Sequence, residues 1–249
     1  MIAAVVATAD HVKALRRSDK QLTLSFDEWN VWYQSAYEQD EGRARQEAER
    51  QPRPWPVAPR LLEDVYNVAD AVVVGGLLIT LLNHSDRVRS ACLAQLVNVI
   101  APIMSEPGGP AWRQTIFYPF AITSRLAAGN VMRVSVDTPF VTTRAYGDVP
   151  ALDAVATYDP AHRRGALFLV NRSVGDAHTV TLKVAAPSYV SAPQVIETLV
   201  IHDDDPHASN TLDNPDRVAP RPLQTIVNQT GDITLTVPPV SWVAVAFAG

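Results

Sequence analysis

The residues best suited to chemistry are Asp27-Glu28-Trp29-Asn30, which follow the run Leu22-Thr23-Leu24-Ser25-Phe26 and precede Trp32 and Tyr33. A carboxylate among aromatic rings and an amide suits a sugar: rings cover its apolar face, and polar groups read its hydroxyls. Asp27 and Glu28 are adjacent, so in a regular strand they point to opposite faces. On that geometry one carboxylate lines a site and the other supports it. They are not a facing pair. A structural alternative stands beside this one, in which the two acids cap the loop that follows the strand.

Other chemistry-bearing residues lack the spacing a site needs. Cys92 is the single cysteine, so no disulfide within the chain and no thiolate zinc site is possible, and its apolar neighbours suggest a small core residue. The run Ile201-His202-Asp203-Asp204-Asp205-Pro206-His207 lacks calcium-loop spacing and reads as a solvated loop. His84 is expected to bond its own helix end; His11, His162 and His178 have no second ligand nearby in the sequence. Gly75-Gly76 reads as close helix packing against a sheet. Neither it nor Gly108-Gly109 has the strand-to-helix setting of a phosphate loop.

Composition narrows the class. The 249 residues are 47% hydrophobic and 19% charged, ordinary for a globular protein. A net charge of −5 argues mildly against a nucleic-acid partner, which would favour a basic patch. Ala7-Thr8-Ala9 imitates a signal cleavage site, but no positive charge precedes it, and Ile2, Val5, Val6, Ala9, Val12 and Leu15 fall at helical spacing. Ala71 to Leu82 is too short to span a membrane. A soluble, cytoplasmic chain is expected.

The elements that position Asp27 and Glu28 alternate helix and strand. A helix is expected over 2–16, a strand over 22–26, an exposed proline-rich loop over 38–60 and an all-round apolar, buried helix over 63–83. A strand follows within Arg89–Ile103, and a helix over 111–127. Beyond 130 the pattern changes to short alternating runs: Val131–Val136, Ala166–Val170, Thr179–Val184, Val195–His202, Ile233–Val237 and Trp242–Phe247. These predict a β-sandwich. The fold class is therefore α/β plus all-β. Residues 1–130 supply two strands where a closed (β/α)8 barrel needs eight and roughly 250 residues, so they are read as its C-terminal portion. Residues 131–249 are read as a jelly-roll-like sandwich domain. Catalytic groups of such barrels sit at the C-terminal ends of strands, where Glu28 falls.

Leu24-Ser25-Phe26-Asp27-Glu28-Trp29-Asn30-Val31-Trp32-Tyr33 closely resembles the nucleophile segment of glycoside hydrolase family 51, mostly α-L-arabinofuranosidases. The resemblance continues through Leu93-Ala94-Gln95-Leu96-Val97-Asn98-Val99-Ile100-Ala101-Pro102-Ile103 and Trp112-Arg113-Gln114-Thr115-Ile116-Phe117-Tyr118-Pro119-Phe120. It runs into Val170-Asn171-Arg172-Ser173 and Asn210-Thr211-Leu212-Asp213-Asn214-Pro215. It implies a retaining exo-acting hydrolase with Glu28 as nucleophile on the seventh barrel strand and Gln95 bonding the bound sugar. Trp32 and Trp112 would wall the site, a role that stands beside simple packing at the barrel mouth. The expected partner is an arabinose-containing oligo- or polysaccharide, with no cofactor or metal and with homo-oligomers as an analogy.

The family's acid/base is a glutamate after an asparagine, and this chain contains no Asn-Glu dipeptide. Glu106 follows the eighth strand, in a Pro- and Gly-rich loop with no acid role to transfer. The resemblance thus implies a fragment that is inactive alone, because a nucleophile without its acid does not expel a poor leaving group. It also implies an aggregation-prone chain, since two parallel strands leave edges open. Two rivals remain: a non-catalytic carbohydrate-binding or assembly module, and half of a split enzyme.

Overall fold

A computed structural model describes residues 1–34, 37–39, 42–43, 46–47, 63–184 and 193–249. Most of the expected 38–60 loop lies outside the described residues; those described at 38–39, 42–43 and 46–47 are helical rather than loop.

The first half contains α1 (Ile2–Leu15), β1 (Leu24–Trp29), α2 (Val68–Asn83) and β2 (Val88–Leu93). β1 and β2 pair in parallel with α2 between them in sequence, a βαβ unit. Arg87 ties α1 to this pair. Its guanidinium grips Asp10 at 2.8 and 3.0 Å while Nε and Nη2 donate to Leu22 O, and Leu24 N donates to Arg87 O. That fork holds the Asp10 carboxyl below its ordinary range.

α2 begins at Val68 rather than near 63, because Asn67 and Asp70 form a capping box there. Its first-turn N–H groups need outside acceptors, and Val68 and Ala69 find them in Ala208 O and Pro206 O, both at 3.1 Å. The His-Asp loop read as merely solvated therefore also caps this helix. At the other end His84 Nδ1 lies 2.9 Å from Thr80 O, as expected. The helix is not buried all round: Val73 and Leu77 are exposed, while Ala71, Val72, Gly75 and Ile79 pack one way and Val74 and Leu78 another.

The strand expected within Arg89–Ile103 is β2, which ends at Leu93, but residues 111–113 do not start the expected helix. They form β4 (Ala111–Arg113), a hairpin partner of β3 (Ile103–Ser105), and α3 (Phe117–Leu126) follows.

The remaining strands are β5 (Asn130–Met132), β6 (Phe140–Thr143), β7 (Gly147–Pro150), β8 (Leu152–Asp159), β9 (Arg164–Asn171) and β10 (His178–Leu182). Then come β11 (Gln194–Ile201), β12 (Arg221–Pro222), β13 (Thr225–Val227), β14 (Ile233–Val237) and β15 (Ser241–Ala248). Six form one sheet in the order β12-β11-β15-β9-β8-β5, and three form a second, β10-β14-β13. Leu152, Leu167, Leu169, Leu235, Val237, Val243 and Val245 fill the space between the sheets. The outer face of the larger sheet meets α2 through Val155, Phe168, Val170, Ile201 and Trp242. Being covered on both faces, β9 and β15 are buried nearly end to end, without the alternation of a half-exposed strand. Residues on both sides of position 130 build the core around α2.

Candidate active site

Glu28 lies on β1, not just beyond it, and the pairing there is irregular. Phe26 pairs with Ala91 and Trp29 with Leu93, so Asp27 and Glu28 together oppose the single residue Cys92. Such a bulge adds a residue to one strand and re-aims its side chains. Both acids are exposed, and the bulge interrupts the regular alternation on which a split to opposite faces was expected. Asp27 accepts a 2.5 Å bond from Ser25 Oγ, whereas no hydrogen bond ties up the Glu28 carboxylate among the described residues. Cys92 is exposed rather than in the core.

Asn30 fixes the strand beyond Glu28. The two protons of its amide reach Ala94 O at 2.6 Å and Ile100 O at 2.5 Å, and Ala94 N donates to Trp29 O. These bonds join the end of β1 to the chain that leaves β2, which carries Gln95. Tyr66, wholly buried, lies behind them; its OH shares one proton between Val31 O at 2.9 Å and Ile100 O at 3.2 Å. Burial pushes the Tyr66 and Tyr33 hydroxyls above their ordinary range, so both remain donors. Gln114, also buried, accepts from Tyr66 N and donates to Asp64 O and Ala101 O. Trp29, Val31, Tyr33 and Phe120 pack against the cluster of Tyr66, Val74, Leu78 and Ile116.

Gln95 is exposed, and its amide nitrogen donates to Val97 O at 3.3 Å and Asn98 O at 3.2 Å. Asn98 and Val99 both have φ of 59°, a left-handed pair that is costly for a β-branched valine. Asp64 N on Val99 O and the Asn98 side chain on Ser105 hold the loop in this shape. Trp32 is 51% exposed and leans on Tyr37 at 6.0 Å. Trp112 is half-buried on β4 opposite Met104. Neither indole has a bond or ring contact with Glu28 among the described residues. Glu106 sits in the β3–β4 turn, where its backbone N–H donates to Pro110 O and its carbonyl accepts from Gly109 N.

Asn30 was singled out from sequence as the amide beside the carboxylate, not as a buried anchor; Tyr66, Gln114 and Asp70 were given no role. Asn67-Val68-Ala69-Asp70 does carry a legible capping signal. The partners of Asn30 carry none, since it bonds residues 64 and 70 positions away.

Asp70 accepts from Tyr33 OH and Asn67 N through one oxygen, Oδ2. Burial raises its pKa above the usual 3.8, outweighing those bonds, and Asp64 is raised for the same reason. A carboxyl that holds its proton more tightly when folded stabilises most below its unfolded pKa. That stability is lost as pH rises through the folded value. Asp70→Asn keeps an acceptor in place of Oδ2 without the charge. The melting temperature of the parent relative to this variant is therefore expected to fall as pH rises from about 3 to about 6. A difference that stays flat across that range contradicts the assignment.

Among the described residues no group of three or more His, Cys, Asp or Glu is placed to hold a metal ion, and no helix is long and apolar enough to cross a membrane. What the geometry presents is an exposed carboxylate near the C-terminal end of a parallel strand, in a chain that continues into a β-sandwich. In βα barrels catalytic groups sit at such strand ends. A model of the α-L-arabinofuranosidase C-terminal domain matches residues 27–241, and the chain belongs to that family.

Two intracellular exo-α-(1→5)-L-arabinofuranosidases are similar to it. One from Bifidobacterium longum is 46% identical over 100% of this chain and 45% of its own length; one from Streptomyces lividans is 50% identical over 96% and 34%. An exo-α-(1→6)-L-arabinofuranosidase of Bifidobacterium longum is also 46% identical, over 97% of this chain and 45% of its own. A solved family 51 α-L-arabinofuranosidase from Bifidobacterium longum superposes with a TM-score of 0.90 at 46% identity, over 100% of this chain and 47% of that one. The α-L-arabinofuranosidase of Thermotoga maritima, solved with arabinose, shares the fold with a TM-score of 0.72 at 23% identity, over 98% of this chain and 48% of that one. The chain thus spans less than half the length of these relatives.

Proposed function

We propose that this chain is the nucleophile-bearing part of a retaining exo-α-L-arabinofuranosidase that removes terminal α-L-arabinofuranosyl groups from arabinan- or arabinoxylan-type glycans. The observation that carries this reading is the exposed Glu28 carboxylate, set in a bulge at the end of a parallel strand and followed directly by the Asn30 anchor. Glu28 attacks the anomeric carbon as the aglycone departs, forming a glycosyl ester, and water then cleaves the ester with net retention. Gln95 Oε1 accepts from a sugar hydroxyl, and Trp32 and Trp112 wall the site. Residues 1–130 serve as the last βα units of the barrel and 131–249 as the sandwich domain. The relatives named intracellular support a place inside the cell.

Retention needs a second carboxyl about 5–5.5 Å from the first, acting as acid and then as base. With no Asn-Glu dipeptide here, that group is assigned to a part of the protein outside these 249 residues. A dinitrophenyl 2-fluoro-arabinofuranoside separates the two roles, because its leaving group needs no proton. Offered to this chain together with a family 51 segment supplying the other strands, it should leave one fluorosugar on the peptide containing Glu28. A label on another residue, or the same label in Glu28→Gln, contradicts the reading. The missing dipeptide favours a second reading for the chain alone, a non-catalytic carbohydrate-binding module, which predicts sugar binding with no label at all.

A further inference from the structure

We propose that the β6–β7 hairpin and the groove at its base form a second binding surface, for a neutral oligosaccharide of pentosyl units. The hairpin pairs only with itself among the described strands, and a lone two-stranded ribbon is marginal in water. Its register places Phe140 opposite Pro150 and Thr142 opposite Asp148, so these four share one face. All four are exposed, and Phe140 is 68% exposed. Thr142 Oγ1 donates to Asp148 Oδ1 at 2.6 Å, which fixes a polar pair next to the apolar one.

Below Phe140 a groove of about 490 Å3 is lined by Val136, Pro150, Leu152, Asp153 and Arg172. Its volume falls within the roughly 300–1,000 Å3 of small-molecule sites. Arg172 is held in place: Nη2 lies 2.7 Å from Asp153 Oδ2 and Nη1 donates to Pro150 O at 3.2 Å. Ala154 N donates to the other oxygen of Asp153 at 3.0 Å. The result is an exposed ring between two fixed polar pairs, Thr142–Asp148 and Arg172–Asp153.

This combination suits a furanose or pyranose ring, which offers a C–H face to an aromatic and hydroxyls to flanking donors and acceptors. It does not suit an anion, because Asp137, Asp148 and Asp153 outnumber Arg172. Glu28, Gln95, Trp32 and Trp112 are not among the residues that line the groove. The choice of pentosyl ligand rests on the proposed function; the surface itself does not.

The test is calorimetric titration of the 249-residue chain with linear arabino- and xylo-oligosaccharides. Binding is expected. Phe140→Ala should weaken it about tenfold or more with an unchanged melting temperature, and Phe140→Tyr should restore it. The proposal is overturned if the parent does not bind, or if Phe140→Ala binds like the parent. It is also overturned if Glu28→Gln abolishes binding, which places the sugar at the strand end, or if Phe140→Ala alters only the oligomeric state by light scattering, which makes the surface a contact between copies. Failure of Glu28 labelling leaves all these outcomes readable, so the two proposals fail separately.

Discussion

Glu28→Ala is expected to lower turnover of an aryl α-L-arabinofuranoside by about 10,000-fold or more in the enzyme completed by its second carboxyl. The melting temperature should stay within about 2 °C, because Glu28 is exposed and its side chain holds no other residue in place. The large loss follows from the proposed role. Without the carboxylate the anomeric carbon has no partner on that face, and water there is neither positioned nor activated. A sharper result is expected with added azide, which fits the space vacated by the carboxylate. It should restore turnover and give a glycosyl azide of inverted configuration, since attack comes from the face opposite the leaving group. An azide product of retained configuration, or a variant within tenfold of the parent, removes Glu28 from the role. A neighbouring control is Asp27→Asn, which alters the other acid of the bulge but leaves an acceptor for Ser25 Oγ.

A large effect on stability is expected at Gly75. A Cβ at this position meets Trp242 Cδ1 at 2.1 Å and Nε1 at 2.8 Å. Trp242 has no room to withdraw, being wholly buried and stacked on Phe168 with ring centroids 6.1 Å apart. Gly75→Ala therefore forces α2 away from the six-stranded sheet. It should cost about 1–3 kcal/mol despite alanine's better helix propensity, which favours the variant by about 1 kcal/mol. For a chain of this size that is a drop of several degrees in melting temperature. Trp242→Phe removes the clashing pyrrole atoms and also a buried indole N–H that has no hydrogen-bond partner among the described residues. The double variant should thus be more stable than the two single effects summed. Strict additivity, measured by denaturant unfolding, argues that the helix and the ring are not in contact as described.

The legible part of this protein was local. The helix over 2–16 and the run Ile233–Val237 follow from short-range pattern and match α1 and β14 closely, while the strand expected over 22–26 overlaps β1 only at Leu24–Phe26. β8 was not singled out, although it lies in the middle of the core, and neither was the β6–β7 hairpin. β8 and β9 do not alternate in burial, because a helix covers one face of their sheet and a second sheet covers the other. A strand buried on both faces and a buried helix present the same apolar run to a reader of sequence.

By itself the sequence determined the chemistry-bearing segment Asp27-Glu28-Trp29-Asn30, the change from βα units to sandwich strands, and the lack of an Asn-Glu dipeptide. All three are properties of neighbouring residues or of composition. Only the tertiary structure decided how Glu28 is presented. The bulge depends on the register with β2, more than 60 residues further on. The anchor depends on Asn30 meeting Ala94 and Ile100, and on Tyr66 and Gln114 closing the space behind them. Register and buried hydrogen bonds are set by which segments collapse against each other, and a side chain's polarity alone does not name its partner.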